Sequence, residues 1–179
     1  MLLGIVTPIY VLLLAPAPEL TLLDTVFSRG LAVVILLEGL ADQQQWWFQC
    51  AKAEYKATGE IATGFTKEDL ERGFVVTGLW SFCRHPNFLC EQLTWFGLYQ
   101  WACFVTDTML NWSGLGVGAL WAIFQGSTWL TELVTAGKYP EYKEYQVMVN
   151  RFIPGRLALF GGDEKAPPAP PVAGGKKRA

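Results

Sequence analysis

Charge is scarce in this sequence. Only 17% of its 179 residues are Asp, Glu, Lys or Arg, against about 25% in an ordinary soluble domain. Hydrophobic residues make up 51% and aromatics 14%, and the mean hydropathy is +0.24. The balance excludes a disordered chain, which needs low hydrophobicity and high charge, and argues against an ordinary cytosolic globule. Histidine is nearly absent. With His85 alone, a site built from two or three imidazoles of this chain is excluded. The four cysteines form no C-x-x-C pair and no spaced framework, so they read as reduced thiols. There is no G-x-G-x-x-G or P-loop, no G-x-S-x-G elbow and no zinc-ligand spacing. The formal net charge of -2 supplies no field that would attract nucleic acid. The length suits one domain.

What the sequence has is apolar runs. The longest uncharged one lies between Asp107 and Glu132 and exceeds the roughly 20 residues that a helix needs to cross a bilayer core. Its Gly114, Gly116 and Gly118 suit close helix packing. A second run covers Phe88 to Thr106, with Trp95 and Trp101 of the kind found at membrane interfaces. A third covers Thr25 to Ala41 around GLAVVILL, and a short fourth covers Leu2 to Ala15. Without a basic start or a suitable cleavage context, this first segment reads as a span rather than a removed signal peptide. Four spans place thirteen of the fourteen Lys and Arg on one side, all but Arg29. That side is cytosolic by the positive-inside rule, and so are both termini. The expectation is an all-α integral membrane protein with a helical domain over residues 1–158.

Residues 159–179 are rich in Pro, Ala and Gly and are expected to form a flexible cytosolic tail. The tail ends in KKRA, which looks like a dilysine retrieval signal of endoplasmic reticulum membrane proteins, read by coat proteins. The polar stretch from Gln49 to Gly78 reads as a loop, with Thr66 and Asp69 spaced to start a short helix. Lys138 to Asn150 reads as an amphipathic surface helix with Tyr142, Tyr145 and Val149 on one face.

Three polar clusters interrupt the apolar pattern. GLWSFCRHPNFLCEQLTWFG, Gly78 to Gly97, sets Arg84, His85, Asn87 and Glu91 at the entry to the second run. Pro86 should start that helix, since its first turn needs no amide donor. Asn87 and Glu91 lie one i,i+4 step apart on one face. Polar groups at membrane depth are costly and mark function. LEGLADQQQWWFQ spaces Glu38, Asp42 and Gln45 as a polar stripe closing an apolar helix, and QGSTWLTE sets Gln125, Thr128 and Glu132 on one face.

With TELVTAGKYPEYKEYQVMVNRFIP, these clusters in this order resemble the membrane family containing the C-terminal domain of steroid 5-alpha-reductases and the related DUF1295 proteins. The G-L-W-x-x-x-R-H-P-N-x-x-x-E motif carries most of the likeness, which runs from about Leu31 to Pro154. A related R-H-P pattern occurs in isoprenylcysteine carboxyl methyltransferases and sterol reductases. The resemblance implies that the helices enclose NADPH from the cytosolic side. Asp42, Asn87, Glu91 and Trp95 would then line the nicotinamide and ribose region, Arg72 and Arg84 would face phosphates, and Ser127, Glu132 and Tyr139 would close the pocket, with His85 in the same motif. It implies NADPH-dependent reduction of a conjugated double bond in a lipid or sterol-like substrate, with Glu91 and Asn87 as the catalytic polar groups. Two other expectations stand beside it. One is an S-adenosylmethionine-dependent methyltransferase using the same R-H-P region. The other is a non-catalytic membrane scaffold, since the family reductases carry additional N-terminal helices and this chain sets only two short spans ahead of the motif.

Overall fold

A computed structural model describes residues 2–15 and 19–153. The tail expected from residue 159, with its KKRA end, lies outside the described residues. The described residues form α-helices and one 3-10 turn, and no strand. The all-α expectation therefore holds.

Two short helices, α1 (Leu2–Ile5) and α2 (Thr7–Leu14), replace the single first span. The break falls at Val6, ahead of Thr7, whose hydroxyl bonds the Gly4 carbonyl at 2.7 Å, and of Pro8. α3 (Leu22–Thr58) is one unbroken helix of 37 residues. It starts on a capping box between Thr21 and Asp24 and stops at Gly59, whose φ of 79° closes the C-terminus. It thus runs far past Ala41, and the first ten residues of the expected polar loop are helical. The reason lies in Phe48, Ala51 and Tyr55, which recur at helical spacing and pack on Leu70, Val75 and Trp80.

α4 (Lys67–Arg72) begins on the Thr66–Asp69 capping box read in the sequence. The 3-10 turn Gly78–Ser81 leads into α5 (Pro86–Val105), which starts at the proline as expected. α6 (Gly114–Lys138) follows, and then α7 (Tyr142–Met148). Tyr142 and Tyr145 are buried on Phe74, with Val149 beside them, so the predicted apolar face is present. α3 packs along α5, α2 covers α5, and α1 covers α6. Gly116 allows the last contact, because a Cβ there would collide with the Gly4 carbonyl.

Among the described residues, no helix is both long and apolar enough to cross a membrane. The four expected spans thus do not stand out as uniformly apolar rods. Asp24, Arg29 and Glu38 interrupt the apolar half of α3, and Gln, Gly, Thr and Trp dilute α5 and α6. α1 and α2 are each far shorter than the roughly 20 residues a crossing needs.

Candidate functional site

The site is assembled around one buried carboxylate. Glu132 on α6 is 3% exposed, and its two oxygens are shared among four neighbours. Arg84 donates from Nε at 2.8 Å and from Nη2 at 3.1 Å, a bidentate pairing. His85 Nε2 lies 3.0 Å away, and Gln146 on α7 donates at 3.0 Å. Arg151 reaches the same carboxylate at 3.4 Å. Arg84 also donates from Nη1 to the Gln146 carbonyl at 3.0 Å and to the Val149 carbonyl. The backbone joins in, since the amides of Arg84 and His85 bond the carbonyls of Asn150 and Arg151 at 2.9 and 3.1 Å. One node therefore ties the start of α5, the end of α6 and the strand of chain after α7. Such a buried pair is kept only when its remaining hydrogen-bonding capacity is filled, and here it is.

Above this node lies a cavity of about 450 Å³, within the range of small-molecule sites. Gln45, Gln49 and Lys52 line it from successive turns of α3. His85, Asn87 and Phe88 come from the start of α5. Thr131, Thr135 and Lys138 come from α6, followed by Tyr139. Gly73, which ends α4 at a φ of +83°, lies against Tyr139, and its carbonyl accepts from Lys52 Nζ at 2.9 Å. A Cβ on Gly73 would collide with the Tyr139 ring.

The rim is cationic. Lys52 Nζ sits 5.9 Å from the centroid of the Tyr139 ring and Lys138 Nζ 5.3 Å from it. Burial pushes the Lys52 ammonium below its ordinary value, and Lys56 and Lys138 press in the same direction. For Tyr139 burial acts upward, but Lys52, Lys138 and Lys56 outweigh it and hold the phenol below the usual tyrosine value. Two amide oxygens lining or adjoining this space, Gln45 Oε1 and Asn87 Oδ1, are buried and have no hydrogen-bond partner among the described residues. A native protein rarely leaves such groups unpaired unless a ligand or water completes them.

The pattern of the DUF1295 family, described as a protein of unknown function, matches residues 1–149. The chain belongs to the DUF1295 family. A similar protein is the uncharacterized protein C594.04c of Schizosaccharomyces pombe, 42% identical over 123 residues. The aligned part is 68% of this chain and 36% of that relative, so the chain spans little more than a third of the relative's length. No solved structure matches the chain.

In this DUF1295 chain the residues singled out from the sequence separate into two groups. His85, Asn87 and Tyr139 line the polar cavity together with Arg84, and Glu132 holds the node beside it. Arg84 is spent on Glu132 and on carbonyls, which leaves it a positioning role rather than an open face toward phosphate. Arg72 does not reach the cavity; it pairs with Asp69 at 2.8 Å because α4 turns it toward its own first turn. Ser127 is exposed on the outer side of α6, where its carbonyl accepts from Thr131. Glu91 lies one turn deeper than Asn87, accepts from Trp95 Nε1 at 2.9 Å and does not line the cavity. Trp95 is held by that bond. Asp42 is exposed and accepts from Asn87 Nδ2 at 2.9 Å, so it orients the amide from outside. Lys52, Lys138 and Gln49 were not singled out from the sequence. The signal that could have found them is the spacing of Gln45, Gln49 and Lys52, which continues one helical face past the point where the sequence suggests a loop. Among the described residues, no three His, Cys, Asp or Glu are grouped to hold a metal ion.

Proposed function

We propose that this DUF1295 chain is an NADPH-dependent reductase of a conjugated double bond in a lipid or sterol-like substrate, with the cofactor held in the polar cavity. The observation that carries the reading is the pairing of a cationic rim with unpartnered amide oxygens in one cavity. Lys52 and Lys138 supply fixed charge for a polyanionic ligand. Gln45 Oε1 and Asn87 Oδ1 accept hydrogen bonds, as a carboxamide or an amino group would offer. When bound, the cofactor supplies the hydride. The chain's own residues bind, orient and shield. Asp42 holds the Asn87 amide so that its oxygen stays free, and the Arg84–Glu132 node fixes the start of α5 that carries His85 and Asn87. Tyr139 presents a phenol whose proton is easier to release than usual, which suits a hydrogen-bond donor to a developing oxyanion.

The same positive rim disfavours S-adenosylmethionine, whose sulfonium is itself a cation. The reading also places residues 25–41, 88–106 and 108–131, with the first two helices, in the endoplasmic reticulum membrane. The support is exposed apolar surface on those segments, such as Leu36 at 73% and Leu115 at 79% exposure; exposed apolar surface of large extent marks contact with a membrane or another protein.

The test is cofactor binding by the purified full chain in detergent. Saturable NADPH binding is expected, weakened at least tenfold by Lys52→Ala and by Gln45→Leu and unchanged by Glu91→Gln. Binding of S-adenosylmethionine alone would make it a methyltransferase, and binding of neither would make it a scaffold; either result overturns the proposal.

A further inference from the structure

A second cavity, of about 590 Å³, lies in the cleft between α5 and α6. None of its lining residues belongs to the polar cavity, so it stands apart from the cofactor reading. The nearest link is aromatic: Phe152 lines the cleft, and its ring centroid lies 6.2 Å from that of His85.

Three features define what fits it. First, no charged residue lines the cleft, in contrast to the cationic rim of the other cavity. A charged ligand would leave an unpaired ion against apolar walls, which is costly. Second, it is elongated. It extends along α6 from Gly114 to Gln125, about 16 Å at the helical rise. At the Gly114 end the backbone is pressed close to the Tyr99 ring. Third, its two carboxamides are concentrated at one end. Gln125 on α6 makes no side-chain hydrogen bond among the described residues, and Gln92 on α5 spends only Nε2, on the Phe88 carbonyl at 2.9 Å. α5 and α6 meet at Phe88 and Phe124, with ring centroids 4.9 Å apart. Both amides therefore stand on the half of the cleft nearest that contact. The other polar side-chain atoms of the lining are the indole nitrogen of Trp121, one turn from Gln125, and the Tyr99 hydroxyl at the Gly114 end, which is buried and turned to Cys103 and the Asn111 backbone; aliphatic and aromatic surface lines the rest.

An uncharged, elongated slot with its two incompletely bonded carboxamides at one end matches one chemistry. We propose that the α5–α6 cleft binds a neutral single-chain lipid, its hydroxyl or carbonyl oxygen held by Gln92 and Gln125 and its hydrocarbon chain running toward Gly114. Gly118 lies along the path of that chain, and a Cβ placed there meets nothing within 4 Å. Its lack of a side chain keeps the slot open.

The experiment uses the purified full chain in detergent and a diazirine-bearing long-chain alcohol as probe, with labelled peptides mapped after photolysis. Saturable labelling confined to α5 and α6 is expected, displaced by oleyl alcohol but not by oleate or oleylamine. Gly118→Phe puts a ring into the slot from a position where a Cβ meets nothing within 4 Å, and should reduce labelling at least tenfold at an unchanged unfolding temperature. Gln92→Leu with Gln125→Leu should keep the slot but abolish its preference for the alcohol over the corresponding hydrocarbon. Non-saturable labelling, equal displacement by oleate, or undiminished labelling of folded Gly118→Phe would each overturn the proposal. NADPH binding by Gly118→Phe should be unaltered, so failure here is distinguishable from failure of the cofactor reading.

Discussion

Replacing Glu132 by glutamine is the sharpest perturbation of the node. The substitution keeps the shape of the side chain and removes its charge. Arg84 then remains 7% exposed with its guanidinium facing a neutral amide, where two carboxylate oxygens stood at 2.8 and 3.1 Å. One amide position becomes a donor aimed at donors, since Gln146 and Arg151 also point there. Breaking a buried pair in this way costs about 3–5 kcal/mol. At about 2–4 °C per kcal/mol for a chain of this size, the unfolding temperature should fall by about 6–20 °C. The assay is thermal unfolding in detergent followed by circular dichroism. Lys67→Ala is the control, because its pair with Glu71 is long, at 3.6 Å, and exposed on both sides, so a change within about 1 kcal/mol is expected. A further arm replaces both partners, Arg84→Met with Glu132→Leu, which should unfold at a higher temperature than Glu132→Gln because no buried guanidinium is left without its carboxylate and Arg151 is exposed enough to turn to water. If Glu132→Gln shifts the transition no more than Lys67→Ala does, the node does not hold the start of α5 to α6 and α7, and the account of how the cavity is positioned fails.

Two further outcomes follow from the same geometry. Gly73→Ala must place a Cβ at φ +83° against the Tyr139 ring; it should cost about 1–3 kcal/mol from backbone strain alone and weaken NADPH binding, whereas Gly137→Ala, with nothing within 4 Å, should be neutral or slightly stabilising by helix propensity. Absorbance titration near 295 nm should show one tyrosine ionising below the ordinary value and lost in Tyr139→Phe. Because the unfolded chain holds that proton to higher pH, Tyr139 adds stability as pH rises through its lowered folded value and gives the full amount only above the unfolded one. A first ionisation at the ordinary value would contradict the grip of Lys52 and Lys138 on that ring.

Local signals in the sequence translated directly where one element decides them. Pro86 starts α5, Thr66 and Asp69 cap α4, and Tyr142 and Tyr145 turn inward from α7. These depend on dihedral limits, end amides and helical spacing, which are properties of a few neighbouring residues. The site was legible only in part, because its members meet across elements. The i,i+4 relation of Asn87 and Glu91 says they share a face, but not that Asn87 faces Asp42 and the cavity while Glu91 turns to Trp95. Arg84 and Glu132 lie 48 positions apart, and only their meeting shows that the arginine is already committed. Lys52 was hidden by the polarity of its stretch. Past Gln49 only Ala51 and Tyr55 continue the apolar face that Phe48 begins, and the Lys and Glu residues between them make the stretch resemble a loop.

The length of α3 has a mechanical consequence. Its 37 residues make a rod of about 55 Å, nearly twice the thickness of about 30 Å of a bilayer's hydrocarbon core. The rod has no proline or break between Leu22 and Thr58 at which bending could be absorbed. Gln45, Gln49 and Lys52 stand on one half, and the GLAVVILL stretch occupies the other. Its geometry is that of a lever. A tilt of the apolar arm would arrive as a sideways displacement of the polar arm, and so would change the width of the cavity that those three side chains wall.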